Sequence, residues 1–268
     1  GLVGSEMCIR DRDKDIEFIA NASNEDLKLL ADALVYKDFT YDNKHKKRVA
    51  ATLHRADKYK RYYPNHMFML WQDIAEEIQK FGGHSGVNLI FRGNKGVLYR
   101  DIVIDVCKNM KIKGIKYSGL TTPEIEDIFI EKFIEMAIQE MSEDQIKELL
   151  KGLRCDKNIN EHIKDLVFSK DTLLAIVKLA FKKGGFTSYI LTLQVVNGVS
   201  KAICGRGLTF AANAALMKYI ASFMTGGLGI AITAITTVWG FLGANKQVEL
   251  LTVTLISYMR KKQSLNIN

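Results

Sequence analysis

An all-α protein is what this sequence predicts: a multi-helix bundle that carries an apolar helical hairpin near its C-terminus. Three observations lead there. Only two prolines occur in 268 residues, and proline is the usual mark of turns and edge strands. Apolar side chains recur at i, i+3, i+4, i+7 along most of the chain, while no segment alternates with period two over six residues. From Gly184 to Asn245 the chain runs 62 residues with three charged side chains, Lys201, Arg206 and Lys218. Glycine clusters at Gly184-Gly185, Gly205-Arg206-Gly207 and Gly226-Gly227-Leu228-Gly229 cut that run into helix-sized pieces. Roughly nine to twelve helices are expected.

In chain order, Gly1–Arg12 resembles the peptide obtained when a sequencing adapter is translated in assembled environmental reads. It is set aside, with Cys8, from fold reasoning, and the pair Leu2-Val3 is too short for a signal-peptide core. Residues 13–63 form a first helical module. Asp13–Ala20 reads as a short helix with Ile16 and Ile19 on one side. Ser23 then caps a helix carrying Leu27, Leu30 and Leu34. The segment 44–63 is basic and aromatic (Lys44, Lys46, Lys47, Arg48, Arg55, Lys58, Lys60, Arg61, with Tyr59, Tyr62 and Tyr63). A solvated helix face is its plain reading, and an anionic-lipid or nucleic-acid contact the alternative.

A second, amphipathic region covers 64–183. Met67, Phe68, Leu70, Trp71, Ile74, Ile78 and Phe81 share one helical face, with Glu76, Glu77 and Lys80 opposite, and Gly82-Gly83 is expected at the C′ turn, where φ is positive. Helices follow over 96–111, with Leu98, Ile102, Val103 and Val106 inward, and from Thr122 as N-cap with Pro123 behind it. Ser142-x-x-Gln145 reads as a capping box, and Asp171 as the cap of a helix ending at Phe181. The region 184–262 then divides into helices at 186–204, 208–224 and 228–243. A last helix, 246–262, regains a polar face and ends in Arg260-Lys261-Lys262, favourable at the negative end of the dipole.

The net charge is +8. Seven basic residues against Glu249 put +6 of it after Gly184, which suits an anionic lipid surface better than nucleic acid. Four scattered cysteines without C-x-x-C spacing point to a reduced, cytoplasmic setting. The five histidines show no ligand spacing, so neither metal nor cofactor is expected. Gly83-His84-Ser85-Gly86 follows a helix and so fails the nucleophile-elbow context. Asp101 and Asp105, four apart, read as surface or as partners of Arg100 or Lys108. Arg92-Gly93-x-x-Gly96 is either a structural turn or a small anion site, for which Arg92, Asn94, Lys95 and Arg100 are the candidates.

Several blocks carry a resemblance. Trp71-x-x-Ile74-Ala75-x-Glu77-Ile78-x-x-Phe81-Gly82-Gly83-x-Ser85-x-x-Asn88, Arg92-Gly93 and Leu98-Tyr99-Arg100-x-Ile102-x-x-Asp105-Val106 resemble the YaaW-like bacterial proteins of unknown function. Gly205-Arg206-Gly207-Leu208-x-x-Ala211-Ala212-Asn213-Ala214 looks like that family's C-terminal signature. Asp13–Ile19 through Asn24–Leu27 is similar to a short module preceding it. The resemblance implies a loose grouping with chaperones of ubiquinol-cytochrome c reductase assembly and leaves function open; a non-enzymatic role is expected because the residues offer no catalytic motif.

The apolar hairpin, with Leu208, Phe210, Ile220, Phe223, Ile230, Ile232, Ile235, Trp239 and Phe241, is the expected membrane- or partner-engaging element. Its helices lie at the lower limit for crossing a hydrocarbon core. Two readings stay open: a membrane-associated protein at the inner face of the membrane, or a soluble scaffold, adaptor or assembly chaperone with the hairpin as core. An anionic membrane surface or a protein is the expected partner, and there is no strong case for nucleic acid.

Overall fold

The computed structural model describes residues 13–37, 51–83, 97–153, 167, 169–205, 207, 227–239 and 243–267. Among them are ten α-helices and no β-strand. The helices are α1 (Asn24–Val35), α2 (Asp57–Tyr62), α3 (Trp71–Gly83), α4 (Tyr99–Asn109), α5 (Thr122–Glu140), α6 (Glu143–Leu153), α7 (Lys170–Lys183), α8 (Phe186–Cys204), α9 (Leu228–Trp239) and α10 (Ala244–Ser264). Short 3-10 turns lie at Glu17–Asn21, Leu53–Arg55 and Met67–Leu70. The expected helix 208–224 lies outside the described residues.

The centre of the bundle is α10, which packs against α1, α3, α4, α5 and α8. Val248 to Met259 are buried without interruption. A helix normally turns one stripe inward, so twelve consecutive buried residues mean neighbours on every side. The polar face expected for this helix is therefore absent, and only its ends reach water. Helix α8 is nearly as enclosed, with every residue from Thr187 to Val196 buried, and lies between α9 and α10.

Several hydroxyls in these helices are satisfied locally, although Thr252 Oγ1 on α10 is buried with no hydrogen-bond partner among the described residues. Thr192 donates to the Ser188 carbonyl at 2.8 Å, Thr236 to that of Ile232 at 2.8 Å, Thr254 to that of Leu251 at 2.8 Å and Ser257 to that of Val253 at 2.9 Å. Each hydroxyl is thereby paired without a partner from another helix, which is how an apolar interior tolerates it.

Helix ends follow the capping rules with small shifts in register. Ser23 accepts the Asp26 amide at 3.1 Å, and Ser142 and Gln145 make their reciprocal pair. The box before α5 is built on Thr121, not Thr122: Thr121 and Glu124 exchange bonds, and Thr122 begins the helix. Likewise α7 is capped by Ser169, with Asp171 in its first turn. In both cases a competing oxygen lies within two residues, and the backbone direction entering the helix selects between them. Helix α4 has no cap of its own; the Asp13 carboxylate accepts the Tyr99 amide at 2.6 Å from 86 residues away.

Three expectations for the middle region change. Ile74, Ile78, Phe81, Ile102, Phe129 and Phe133 are core residues and Trp71 is partly buried, but Leu98 is 48% exposed. Leu98 is the N-cap of α4, with an extended backbone that turns it off the helix face, and the fully buried Tyr99 takes the inward place. Phe68 is exposed because the helix starts at Trp71 and a 3-10 turn, with a different periodicity, precedes it. Glu77, placed on the polar face by spacing, is buried and accepts the Thr52 amide and hydroxyl, each at 2.6 Å.

Gly82 is the most informative correction. It lies inside α3 rather than at a left-handed C′ position. A Cβ there would overlap Ile102 Cγ1 and lie 2.6 Å from its Cδ1, so the glycine serves the close approach of α4 to α3. Gly198 has the same purpose between α8 and α9, where a Cβ would stand 2.6 Å from Ile232 Cγ2 and 3.1 Å from the Gly229 carbonyl oxygen.

Gly82→Ala is therefore expected to lower stability by about 1–3 kcal/mol through overpacking. The cost should shrink when Ile102→Ala is present, because the clash has lost its partner. Thermal melts of the single and double variants measure this coupling, and equal costs in both backgrounds would show that the crossing does not depend on the missing Cβ.

Candidate functional site

The sequence singles out two basic features, the C-terminal triplet and the anion candidates around Arg92, and one apolar feature, the hairpin. At the end of α10, Arg260 makes a two-pronged bond to Glu126, with Nε at 2.9 Å from one oxygen and an Nη at 3.1 Å from the other. The same guanidinium donates to the Asp15 carbonyl at 2.7 Å and lies over the Phe18 ring. Lys261 pairs with Asp127 and lies over Phe181, and Lys262 reaches Asp26 at 2.7 Å. All three charges are thus committed to partners on α1, α5 and the N-terminal turn. The triplet is a clasp, not an outward basic flank.

Glu126 is the residue that spacing missed, a carboxylate 2% exposed on the inner face of α5. Burial raises its pKa above the ordinary carboxylate value, and the Arg260 guanidinium opposes that shift. Arg260 is itself held above its ordinary value by Glu126, burial opposing. The two-pronged geometry supports an ion pair. Tyr99 stands beside Glu126, and burial pushes its phenol well up, so it is neutral. A charge complementary to Glu126 on a distant helix is invisible to a local pattern.

Of the anion candidates, Arg92, Asn94 and Lys95 lie outside the described residues. Arg100 is described, and it is occupied: it donates to the Tyr117 carbonyl at 2.8 Å and approaches the Thr122 hydroxyl at 3.4 Å. It fixes the loop between α4 and α5. Asp105 meets Lys108 at 3.9 Å on the surface. In the basic-aromatic segment, Lys58 pairs with Asp73, Lys60 with Asp57, and Arg61 lies over Tyr62. Tyr63 donates to Asp32 at 2.8 Å and stacks on the buried Tyr59. Lys58, Lys60 and Arg61 are accordingly committed to partners within the protein, while the buried Tyr59 hydroxyl has no hydrogen-bond partner among the described residues.

Among the hairpin residues, Leu208, Phe210, Ile220, Phe223 and Phe241 lie outside the described residues, as does the side chain of Trp239. Ile232 is fully buried against α8, Ile235 is partly buried, and Ile230 is 63% exposed. Among the described residues no helix is long and apolar enough to cross a membrane, and no group of three metal-ligating side chains gathers.

Comparison with known proteins adds a family. The chain is 32% identical over 251 residues to a UPF0174 protein of Helicobacter pylori strain J99, covering 93% of this chain and 92% of that one. It belongs to the UPF0174 family. The UPF0174 protein YaaW of Escherichia coli O157:H7 is 30% identical over 258 residues, 94% of this chain and 95% of that one. The K12 form of YaaW matches over 61% of this chain at 35% identity. No family model matches, and no solved structure matches. The resemblance read from the Phe-Gly-Gly and Leu-Tyr-Arg blocks is thereby borne out, and the family name carries no activity.

If the clasp is structural, Arg260→Ala should cost about 3 kcal/mol or more, because it strands a buried carboxylate. The double variant Glu126→Leu/Arg260→Met should recover most of that loss. Denaturant titration of the three proteins checks both outcomes.

Proposed function

We propose that this UPF0174 protein is a non-enzymatic helical platform that docks peripherally on the inner face of the cytoplasmic membrane. The outer face of α9 and the apolar segment preceding it make the contact, and α8 and α10 form the fixed base beneath. One observation carries this reading: the burial of α9 is one-sided. Leu228, Ala231, Ile232 and Thr236 face the bundle, while Ile230 and Val238 are exposed at 63% and 66%, with Ala234 and Thr237 exposed beside them. Ile230, Ala234 and Val238 recur every four residues, so they form an apolar strip along one side of the helix. An exposed aliphatic strip is a usual mark of a partner or membrane contact. The sequence leading into it, Leu208 to Gly226, contains a single charge, Lys218. Peripheral contact fits better than spanning, given the modest length and hydropathy of the described helices.

The burial of the long central stretches of α8 and α10 supports a second reading, a soluble scaffold or assembly factor in which the apolar helices serve only as core. Charge placement separates the two. Ile232→Glu would unfold either protein, since that side chain is fully buried. Ile230→Glu/Val238→Glu places charges on exposed positions and should leave the thermal melt close to the parent's. In co-sedimentation with anionic vesicles the parent should pellet and the double variant should stay in the supernatant. A parent that stays in solution at every lipid concentration would leave the scaffold as the better reading.

A further inference from the structure

The basic triplet is consumed by internal pairs, so any electrostatic attraction to an anionic surface must come from elsewhere on the molecule. The loop joining α4 to α5 is one segment where exposed lysines stand without acids in the sequence around them; α7 and the start of the apolar run, with Lys178, Lys182, Lys183 and Lys201, are another. From Val106 to Pro123 the sequence contains Lys108, Lys111, Lys113 and Lys116 and no Asp or Glu. All four lysines are exposed. Lys108 is offset by Asp105 at 3.9 Å, whereas Lys111, Lys113 and Lys116 have no ion pair among the described residues.

The loop has a built conformation. Its chain turns at Lys111, with φ of 53°, and the Ile112 amide donates to the Cys107 carbonyl at 3.0 Å. Arg100 holds the Tyr117 carbonyl at 2.8 Å. Between the lysines, Ile112, Ile115 and Tyr117 pack against the core. Partly buried apolar residues thus alternate with exposed lysines, and the packing of the former holds the latter on the surface of one short loop.

The loop also lies at the same end of the bundle as the tip of α9. Lys246, in the first turn of α10, donates to Asn109 at 2.7 Å, which places the start of α10 at the base of the loop. Trp239 and Gly243 are four positions apart in the chain, a reach of at most roughly 14 Å. The end of α9 that carries the exposed Val238 and the lysine loop therefore belong to the same end of the bundle. Cations at the same end as an exposed aliphatic side chain match the interface of an acidic bilayer, where headgroups meet acyl chains. Nucleic acid fits less well, because the loop's one aromatic residue, Tyr117, is partly buried and offers no free ring for base stacking.

We infer that Lys111, Lys113 and Lys116 form an anionic-headgroup contact that orients the α9 strip toward an acidic bilayer. The inference rests on the peripheral docking proposed above and names its lipid preference. The test is co-sedimentation of the full chain with vesicles of neutral phosphatidylcholine and with vesicles containing phosphatidylserine, at low and high salt. The parent should bind the acidic vesicles at least about tenfold more tightly, with the preference lost at high salt. Lys111→Gln/Lys113→Gln/Lys116→Gln should lose that preference while melting as the parent does. A control with the same change in charge, Lys151→Gln/Lys182→Gln/Lys183→Gln on α6 and α7, should keep it. A triple loop variant that retains the preference, or a control that loses it equally, overturns the headgroup contact and leaves peripheral docking standing. A parent that binds no vesicle overturns both, and binding to a single-stranded RNA without binding to vesicles would assign the loop to nucleic acid instead.

Discussion

The complete enclosure of α10 is the constraint on which the other elements depend. A helix buried on all sides must find its neighbours from distant parts of the sequence, and here they come from α1, α3, α4, α5 and α8. Each fully buried Leu, Ile or Val contributes on the order of 1.5–3 kcal/mol, and the stretch from Val248 to Met259 holds six of them. The polar ends decide where the helix stops. Arg260, Lys261 and Lys262 sit at the negative end of its dipole, and each is taken up by an acid from α1 or α5. Those pairs fix the axial position of α10, because sliding it by one residue would strand Glu126 as a buried charge.

Close helix crossings are the second requirement. Gly82 and Gly198 lack a Cβ where Ile102 and Ile232 pack against their backbones, and an added Cβ would clash with those side chains. Between these contacts, threonine and serine hydroxyls return to carbonyls of their own helix. Small residues and self-satisfied hydroxyls let helices approach in lipid as well as in a dry protein core. That shared chemistry is why the run from Gly184 to Asn245 could be read either way: composition reports the dryness of the environment and not its origin.

Among the described residues, two groups of positive charge differ in kind. Lysines and arginines at the end of α10 and on α1 to α3 are paired with acids or rings, and such charges steer little. Those of the α4–α5 loop stand in water without acidic neighbours on their own segment. Net charge alone does not distinguish these populations. What matters to a partner is the field left after internal pairing, and pairing is a property of tertiary contact.

The sequence by itself determined the helical class, most helix boundaries and the family. Periodicity placed Ile74, Ile78 and Ile102 in the core, and the glycine breaks set 186–204 as one helix, matching α8. These features are local: a helix forms from the spacing and capping of residues within a few turns of one another. Tertiary structure alone decided the rest. It turned Leu98 outward and Tyr99 inward, made Gly82 a contact instead of a turn, buried Glu126 and Glu77, and closed Arg260, Lys261 and Lys262 into a clasp. Each of these depends on a partner between 20 and 245 residues away, and a one-dimensional pattern carries no information about which distant side chain will fill the space or match the charge.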